Sequence, residues 1–429
     1  MEGRPLRICF LTYRGNPQCG GQGIYTRHLT GALAALGHEV EVWSGPPYPE
    51  LVDGVGLRQV PSLDLWNDQA LFRRPTLREF RDPIHRNEWL RTITGQFPEP
   101  HTFSRRVARA YARLDADDRF DVVHDNQCLG EGLLRLARQV PVVATIHHPI
   151  TVDRDIALAA ARTRTKRWGL RRWYSFLDQQ IAVAPRLDDV ITVSEAAAEG
   201  IERDFQIARH RMHVVPNGVD LGVFRPLPAI AREPHRLIAT ISATNAPLKG
   251  FVYLLEALAK VRREIPDVQL TVIGRDGDRL TQKRIRDLGI ASAVRITGRV
   301  STEEMVELYA RSTLAVVPSL YEGFGLPAIE AMACEVPVVS TDAGALPEVV
   351  GRDGRAGVLV QAGCAESLAR PLIELLRDPA RVDAMRCAGR QRVTSLFTWK
   401  RAAELSVGVY REAIERRRPA SAGALRAAC

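Results

Sequence analysis

The chain opens with a strand, a glycine-rich loop, a helix and a second strand, and this order limits the folds available to it. Arg7 to Tyr13 is a short apolar run, and Gly15 to Gly23 is a polar loop rich in glycine. Ile24 to Leu36 carries apolar residues at helical spacing, Gly37 is placed to end that helix, and Glu39 to Ser44 is a second apolar run. A helix that joins two strands in this way makes them parallel, so the pattern predicts the start of a doubly wound α/β sheet.

Short apolar runs separated by helical stretches continue along the first half and recur as a second series after Pro226. The runs that we predict to be further strands are 122–124, 142–146, 190–193, 237–241, 269–273, 294–296, 314–317 and 336–340. Stretches at helical spacing, such as Tyr253 to Arg262, lie between them. The chain thus repeats one architecture, which predicts two Rossmann-like domains that face each other across a cleft.

A proline-rich segment marks the boundary between the two predicted domains. We expect an N-terminal domain over residues 1–215, a linker over 216–235 and a C-terminal domain over 236–398. Residues 399–417 have the pattern of an amphipathic helix, and the alanine-rich segment 418–429 is expected to be a flexible tail.

Composition excludes several classes of protein. With 45% hydrophobic and 25% charged residues, the chain is not expected to be disordered, and no apolar run approaches the roughly eighteen residues of a membrane-spanning helix. Its 7 cysteines are scattered without a Cys-x-x-Cys pair, which indicates reduced thiols in the cytoplasm rather than disulfides or a zinc site. The net charge of +9 indicates an anionic partner, yet no nucleic-acid-binding motif is visible.

The most informative motif is SLYEGFGLPAIEAM, which begins at Ser319. Pro327 is placed as the first residue of a helix, so unpaired amides near Gly325 and Leu326 would bind an anion. Glu322 and Glu330 would accept hydrogen bonds from hydroxyl groups on the two sides of that anion. A nucleotide sugar has this arrangement, with Glu322 placed to reach its sugar and Glu330 its ribose.

This motif resembles that of the retaining glycosyltransferases of family 4, which have the two-domain GT-B fold. The resemblance extends over nearly the whole chain, because further motifs follow in the family's order. They are Gly20-Gly21, Ala144 to His148, Val215 to Asp220, Lys249-Gly250, Gly344 to Glu348, and Phe397 to Trp399. The resemblance implies an α/β GT-B fold in which the helix 399–417 crosses back to the first domain.

The resemblance also implies roles for individual residues. Lys249 would bind the donor diphosphate, His147 would hydrogen-bond a hydroxyl of the donor sugar, and Glu322 would contact that sugar, so we take these three as catalytic. The remaining residues that we expect to bind the donor are Gly20, Gly21, Ser242, Thr244, Arg275, Arg299, Gly323, Phe324, Gly325, Leu326 and Glu330. His148 is the alternative to His147, and the glycine pair alone would also fit an ordinary tight turn.

The chain departs from the family pattern at one position. The family usually has an arginine about five residues before the phosphate-binding lysine, and Thr244 stands there in this chain. A diphosphate held by Lys249 alone is less well neutralised. The hydroxyl groups of Ser242 and Thr244, backbone amides, or the guanidinium groups of Arg275 and Arg299 are the candidates to compensate.

The reaction implied by the resemblance is transfer of a hexose-type sugar from a UDP- or GDP-sugar to a hydroxyl acceptor, with retention of anomeric configuration. It would need no metal ion and no cofactor other than the nucleotide-sugar donor. Asp276-Gly-Asp278 has the form of a metal-binding pair, but we interpret it as a loop. The alternatives are another GT-B activity, such as a nucleotide-sugar epimerase or a sugar phosphorylase, and a non-catalytic nucleotide-sugar sensor.

The sequence does not identify the acceptor. Acceptor specificity in this fold is expected from the first domain, so the segment 58–103 and the surroundings of His147 and His148 are the candidate regions. Aromatic and arginine residues in 58–103 suit an acidic or amphipathic acceptor. The segment 162–176 mixes cations with tryptophans, which predicts either peripheral contact with the inner face of an anionic membrane or a solvated basic helix.

Overall fold

A computed structural model describes residues 4–16, 21–67, 70–71, 73–244, 246–275 and 279–417 of the chain. The chain folds into two compact units. The first comprises Met1–Val193, Ala198–Val215 and Trp399–Cys429, and the second comprises Ser194–Ala197 and Pro216–Thr398. The second unit is therefore inserted between two parts of the first.

The first unit contains a sheet of seven parallel strands and a separate two-stranded hairpin. Its elements up to the insertion are β1 (Arg7–Thr12), α1 (Gly21–Ala35), β2 (Glu39–Ser44), β3 (Gly56–Gln59), β4 (Trp66–Asn67), β5 (Ala70–Leu71), α2 (Pro83–Ile93), α3 (Glu99–Tyr111), β6 (Val122–Asn126), α4 (Gly132–Leu136), β7 (Val142–Ile146), α5 (Thr151–Ala160), α6 (Arg164–Trp173), α7 (Phe176–Val183), β8 (Asp189–Thr192), α8 (Glu195–Phe205) and β9 (Met212–Val214). The strand order in the large sheet is β3-β2-β1-β6-β7-β8-β9, and β4 pairs with β5.

The second unit contains a sheet of six parallel strands in the order β12-β11-β10-β13-β14-β15. Its elements are β10 (Arg236–Ala243), α9 (Phe251–Glu264), β11 (Gln269–Arg275), α10 (Arg279–Asp287), β12 (Val294–Ile296), α11 (Thr302–Arg311), β13 (Leu314–Val317), α12 (Leu326–Ala333), β14 (Val338–Thr341), α13 (Leu346–Val350), β15 (Gly357–Val360), α14 (Ala365–Leu376) and α15 (Pro379–Leu396). One-turn 3₁₀ helices lie at Glu79–Arg81, Ala116–Asp118, Ala184–Arg186, Arg209–Arg211, Pro247–Lys249 and Ala291–Ala293.

Burial explains why the sequence shows most strands as continuous apolar runs. All the residues of β6, β7 and β13 are buried, as expected for parallel strands that helices cover on both faces. In β3, by contrast, all the residues are exposed, so it has no apolar pattern, and the sequence did not predict it. The prediction of two Rossmann-like domains with parallel sheets is confirmed.

Each sheet has a point at which the strand order changes direction. The chain adds two strands on one side of β1 and then continues from β6 on the other side, and it does the same around β10 and β13. In open α/β sheets, ligands bind beyond the carboxyl ends of the strands at such a switch point. The residues that follow β1, β6, β10 and β13 are therefore the first places to search for a site.

The last helix, α16 (Trp399–Arg417), belongs to the first unit and packs along α1. The hydroxyl of Tyr410 is hydrogen-bonded to Nδ1 of buried His124, and the ring of Trp399 stacks on His28. Nε2 of His124 is in turn 2.7 Å from Oγ1 of Thr145 in β7. The predicted tail 418–429 lies outside the described residues. None of the helices described is both long and apolar enough to cross a bilayer.

Candidate active site

Lys249 and Glu322 form an ion pair at the switch point of the second sheet. Nζ of Lys249 lies 2.8 Å from Oε1 of Glu322, and the hydroxyl of Ser319 donates to the same oxygen at 2.7 Å. Only 27% of the lysine side chain and 12% of the glutamate side chain are exposed. Each charge balances the other, so a diphosphate that binds the lysine would release the carboxylate to accept hydrogen bonds from hydroxyl groups.

Two glycines allow the loops of this pair to approach each other. Gly250 has a φ of +62°, and a Cβ there would lie 1.9 Å from the carbonyl oxygen of Pro318. Gly344 has a φ of +59°, and a Cβ there would lie 2.2 Å from the carbonyl oxygen of Glu322. Both positions therefore need glycine for its left-handed conformation and for the missing side chain.

The amino end of α12 follows directly after Glu322. Gly325 precedes the helix with a φ of +108°, and Pro327 lies in its first turn. In the part of the chain that is described, the amides of Gly325 and Leu326 donate to no backbone carbonyl, so they are available to an anion. The ring of Phe324 is buried edge-on against Phe397, with 5.7 Å between ring centroids, so Phe324 can offer a ligand only its backbone.

Glu330 belongs to a chain of hydrogen bonds that the sequence did not reveal. Its carboxyl group is hydrogen-bonded to Tyr309 in α11, whose hydroxyl lies 2.8 Å from Oγ1 of Thr240 in β10. Burial raises the pKa of Glu330 to about 7. At neutral pH the group therefore exists in both protonation states, and a hydroxyl ligand that donates to it favours the carboxylate.

The residues proposed to replace the family's arginine have different surroundings. Thr244 is buried, and its hydroxyl donates to the carbonyl oxygen of Arg275 at 3.5 Å. Gly274 and Gly298 are paired, with 3.1 Å between the amide of the first and the carbonyl oxygen of the second. Arg275 and Arg299 each follow one of these glycines and are exposed, so the structure brings the two arginines to neighbouring positions. The side chain of Ser242 lies outside the part described.

In the first unit, His147 follows β7 and is held by Asn126 from the adjacent strand β6. Nε2 of His147 is 2.7 Å from Oδ1 of Asn126. The amide nitrogen of Asn126 donates to the carbonyl oxygen of Gln22 at 3.3 Å and to Oγ1 of Thr26 at 3.2 Å. Because that carbonyl can only accept, the orientation of the Asn126 amide is fixed, and the proton of the neutral ring must lie on Nε2.

The tautomer leaves Nδ1 of His147 as a hydrogen-bond acceptor. Burial, and then the charge of His148, lowers the pKa of His147 to about 3, so the ring is neutral at pH 7. The ring also packs edge-on against Tyr25 of α1, with 4.5 Å between centroids. His147 is thus a neutral, oriented acceptor for a hydroxyl group.

Gln127 fixes the backbone at both histidines. Its side-chain oxygen accepts from the amide of His147 at 2.9 Å, and its side-chain nitrogen donates to the carbonyl oxygen of His148 at 3.1 Å. Gln127 has a φ of +54°, which is unusual for a residue other than glycine and often marks a functional loop. The ring of His148 has a different partner, since its Nε2 lies 2.9 Å from Oδ2 of Asp153 in α5.

Comparison with known proteins identifies the family. The family described as Glycosyltransferase Family 4 matches residues 19–223, and the family described as Glycosyl transferases group 1 matches residues 229–392. The MMP alpha-(1->4)-mannosyltransferase of Mycolicibacterium hassiacum is 46% identical to this chain over 96% of it and 99% of the relative. The chain belongs to glycosyltransferase family 4.

Further relatives agree with this assignment. A D-inositol 3-phosphate glycosyltransferase of Thermobispora bispora is 31% identical to this glycosyltransferase over 95% of the chain and 93% of the relative. The solved sucrose-phosphate synthase of Thermosynechococcus elongatus has a TM-score of 0.71 at 24% identity and covers 96% of this chain and 100% of its own. That likeness supports the fold alone, and it confirms the GT-B fold predicted from the sequence.

The glycine loop of the glycosyltransferase is described only in part. Gly20 lies outside the described residues, and Gly21 begins α1, where a Cβ would meet no atom within 4 Å. A Cβ at Gly23 would instead lie 2.0 Å from the carbonyl oxygen of Asn16. Gly23, which the sequence argument did not single out, is thus the glycine that the local backbone requires, and Gly21 leaves space above the first turn of α1.

No group of three or more His, Cys, Asp and Glu side chains in the described residues of the glycosyltransferase is placed to hold a metal ion. Asp276 and Asp278, the pair that we interpreted as a loop, lie outside those residues. The site residues that sequence reasoning missed are Ser319, Tyr309, Asn126, Gln127 and Tyr25. Three of them had a signal, since Ser319 begins the motif that contains Glu322, and Asn126 and Gln127 belong to a polar run at the end of the buried strand β6.

Proposed function

We propose that this glycosyltransferase transfers a mannosyl unit from a nucleotide-diphosphate mannose to a hydroxyl group of a saccharide, forming an α-(1→4) linkage with retention of anomeric configuration. The observation that carries the proposal is the 46% identity, over nearly the full length of both chains, to a relative named as an α-(1→4)-mannosyltransferase. The side chains at the two switch points are of the kinds that such a donor requires.

The second unit supplies the groups that would stabilise the leaving diphosphate. When the bond between the anomeric carbon and the diphosphate oxygen breaks, positive charge builds on the sugar and negative charge on the diphosphate. The ammonium group of Lys249 and the free amides at the start of α12 favour that negative charge. Glu322, released from Lys249, would accept hydrogen bonds from sugar hydroxyl groups, and Glu330 would accept them from the ribose.

The anomeric configuration is retained if the acceptor attacks the anomeric carbon from the face that the diphosphate leaves. The acceptor oxygen then forms its bond to the anomeric carbon, and the acceptor proton passes to an oxygen of the departing diphosphate. No carboxylate of the protein has to act as a nucleophile in this scheme. His147 would accept a hydrogen bond from a sugar hydroxyl at Nδ1, which orients the sugar without a change in protonation.

We also propose that the reaction needs no metal ion. Positive charge at the diphosphate would come from Lys249, from the amides of α12, and from Arg275 and Arg299 in place of the family's arginine. Transfer that persists in an excess of chelator would support this proposal, and transfer restored only by added Mg²⁺ or Mn²⁺ would contradict it.

The test is an assay of the purified full chain with GDP-mannose or UDP-mannose and a methyl α-mannoside acceptor. We expect transfer from one of the two donors, and an anomeric proton signal in the NMR spectrum of the product that identifies an α-(1→4) bond. Glu330→Ala should weaken binding of the corresponding nucleoside diphosphate in calorimetry. Lys260→Ala, which removes an exposed lysine paired with Glu366, is the matched control and should change nothing.

Other results would contradict the proposal in distinguishable ways. Consumption of the donor without an acceptor product would indicate an epimerase or a hydrolase. Nucleotide binding without any turnover would indicate a sensor. A product with inverted configuration would exclude attack by the acceptor on the face that the diphosphate leaves. It would not contradict the proposed donor-binding residues.

A further inference from the structure

A second cluster of polar and aromatic side chains lies at the switch point of the first sheet. Tyr13 and Arg14 directly follow β1, and they contact the start of α3 and the residues just before it. The ring of Tyr13 packs edge-on against Phe97, with 6.2 Å between centroids, and Nε of Arg14 lies 2.9 Å from Oε2 of Glu99. Residues 97 and 99 belong to the segment 58–103, so these contacts join that segment to the ligand-binding edge of the sheet.

The ion pair of this cluster has unused hydrogen-bonding capacity. Nε of Arg14 and Oε2 of Glu99 are both buried atoms that face each other in the ion pair, yet neither makes a well-directed hydrogen bond within the described residues. The carboxyl group is largely buried, and burial raises the pKa of Glu99 to about 7. Buried polar atoms without hydrogen bonds are uncommon in proteins and need an explanation, and a ligand with hydroxyl groups would provide one.

An aromatic surface adjoins the ion pair. The ring of Phe97 lies 5.2 Å from that of Trp173 and 5.4 Å from that of Phe176, measured between centroids. Trp173, the last residue of α6, is 45% exposed although it takes part in these contacts. The cluster thus links a flat, partly exposed ring, through Phe97, to the segment that carries the carboxylate of Glu99.

These groups match the chemistry of a neutral pyranose. A pyranose has hydroxyl groups around its rim and apolar C–H groups on its faces. A carboxylate accepts hydrogen bonds from neighbouring hydroxyls, a guanidinium group donates to them, and an aromatic ring covers the C–H face. Apolar ring contacts with a few fixed polar groups are the usual composition of a small-molecule site.

The position of the cluster suits an acceptor. The sheet order places β6 between β1 and β7, so the carboxyl ends of β1 and β7 lie about 10 Å apart. His147, which we propose contacts the donor sugar, follows β7. A saccharide held beside β1 would therefore lie within the length of one or two sugar rings from His147.

We propose that Arg14, Glu99, Phe97 and Trp173 bind the acceptor saccharide, with the ion pair on its hydroxyl groups and the aromatic rings on its apolar face. This proposal rests on the proposed function, since it assigns the acceptor side of that reaction. It also narrows the expectation drawn from the sequence for the segment 58–103, from an acidic or amphipathic acceptor to a neutral saccharide with an apolar face.

An anionic membrane fits the same region less well. At 3.6 residues per turn, Trp168 and Trp173 project from α6 about 140° apart, so they do not lie on one face. Arg164 and Arg171 lie on the side of Trp168, away from the cluster. Arg172 covers the ring of Trp168 at 5.3 Å. A partly buried carboxylate such as Glu99 would repel lipid phosphates. The basic side of α6 is accounted for as a solvated helix face.

The experiment compares Glu99→Gln and Trp173→Ala with Glu131→Gln and Trp168→Ala in the full chain. Trp168 is a matched control because it is exposed on the same helix but lies outside the cluster. With saturating donor, we expect the KM for an α-(1→4)-linked mannobioside to rise about tenfold in the first two variants, with kcat and the donor KM unchanged. Trp173→Phe, which keeps an aromatic ring, should retain most of the affinity, and melting temperatures show that each variant is folded.

Calorimetric titration with the mannobioside, in the presence of GDP or UDP, tests binding without turnover. Loss of saccharide binding in Glu99→Gln and Trp173→Ala supports the acceptor site even if no donor is turned over. A lack of turnover would overturn only the proposed function. Equal binding in all folded variants, or an equal loss in Trp168→Ala, overturns the acceptor site. The acceptor site is also overturned if the wild-type chain binds no saccharide but binds phosphatidylglycerol vesicles, and Trp173→Ala loses that vesicle binding.

Discussion

Nζ of Lys249 lies 2.8 Å from Oε1 of Glu322, so the residue expected to bind phosphate is paired with the residue expected to bind sugar. In the proposed function the pair would couple the two halves of the donor, because a diphosphate bound by the lysine would free the glutamate.

This coupling predicts opposite effects of the two residues on nucleotide binding. Glu322→Gln leaves Lys249 without a competing carboxylate, so the affinity for the nucleoside diphosphate should stay the same or increase, while transfer falls by about 100-fold or more. Lys249→Ala should weaken both nucleotide binding and transfer. Calorimetry and initial rates measure the two effects. Weaker nucleotide binding in a folded Glu322→Gln variant would show that the pair does not restrain the lysine.

The loop that carries Lys249 should be unusually sensitive to a methyl group at Gly250. Gly250→Ala combines a left-handed φ with a contact of 1.9 Å to the carbonyl oxygen of Pro318, so we expect a loss of about 3 kcal/mol or more in the free energy of unfolding. Gly289→Ala is the control, since Gly289 has a φ of +68° but nothing lies within 4 Å of its Cβ. It should cost only about 1 kcal/mol. Urea denaturation measures both changes, and equal losses would contradict the contact.

Asn126 is predicted to set the protonation of His147. Asn126→Ala removes the partner of Nε2 and should lower kcat by about 10- to 100-fold, because the ring can then rotate and change tautomer. Asn126→Asp places a carboxylate beside Nε2, which raises the pKa of His147. Transfer by Asn126→Asp should therefore fall at acidic pH, where the wild-type ring is still neutral. The imidazole proton shifts in NMR spectra follow the pKa directly, and unchanged shifts would refute the assignment.

The raised pKa of Glu330 makes donor binding and stability depend on pH. In the proposed donor site a ribose hydroxyl would donate to the carboxylate, so affinity for the nucleoside diphosphate should decrease as the pH falls through about 7, and Glu330→Gln should abolish this dependence. The folded state holds the proton more tightly than the unfolded state. Stability due to this group is therefore complete below the unfolded pKa and is lost as the pH rises towards 7.

The melting temperature checks the sign of that effect. Glu330→Gln cannot ionise, so its melting temperature relative to the wild type should be higher at pH 8 than at pH 5. Other buried carboxyl groups, such as Asp125 and Glu99, titrate in both proteins and cancel in the comparison. A constant difference between the two proteins at the two pH values would show that Glu330 is not protonated near neutrality.

The features that sequence predicted are those that depend on neighbours along the chain. Lys249, Glu322 and Glu330 stand in short motifs with glycines that serve local turns, and buried parallel strands appear as apolar runs. Tyr309 hydrogen-bonds to Glu330 from a helix that precedes it by about 20 residues, and Arg14 contacts Glu99 although many residues separate them along the chain. No local pattern marks such pairs, because they depend on which strands become neighbours in the sheet.

At two places in the candidate site, the structure favours one of the alternative residues that the sequence left open. Asn126 orients His147 while Asp153 holds His148, which favours His147 as the residue that meets the sugar. Thr244 has its hydroxyl directed to a backbone carbonyl, which favours Arg275 and Arg299 as the substitutes for the family's arginine.

The insertion of the second unit within the first has a consequence for synthesis on the ribosome. The seven-stranded sheet is translated early, but Tyr410, the partner of buried His124, is made only after the whole of the second unit. During translation the second unit has all its strands before α16 emerges, so it can reach its native state first. The first unit cannot complete its packing until the last helix leaves the ribosomal exit tunnel. Until then, His124 and the surface of α1 stay uncovered.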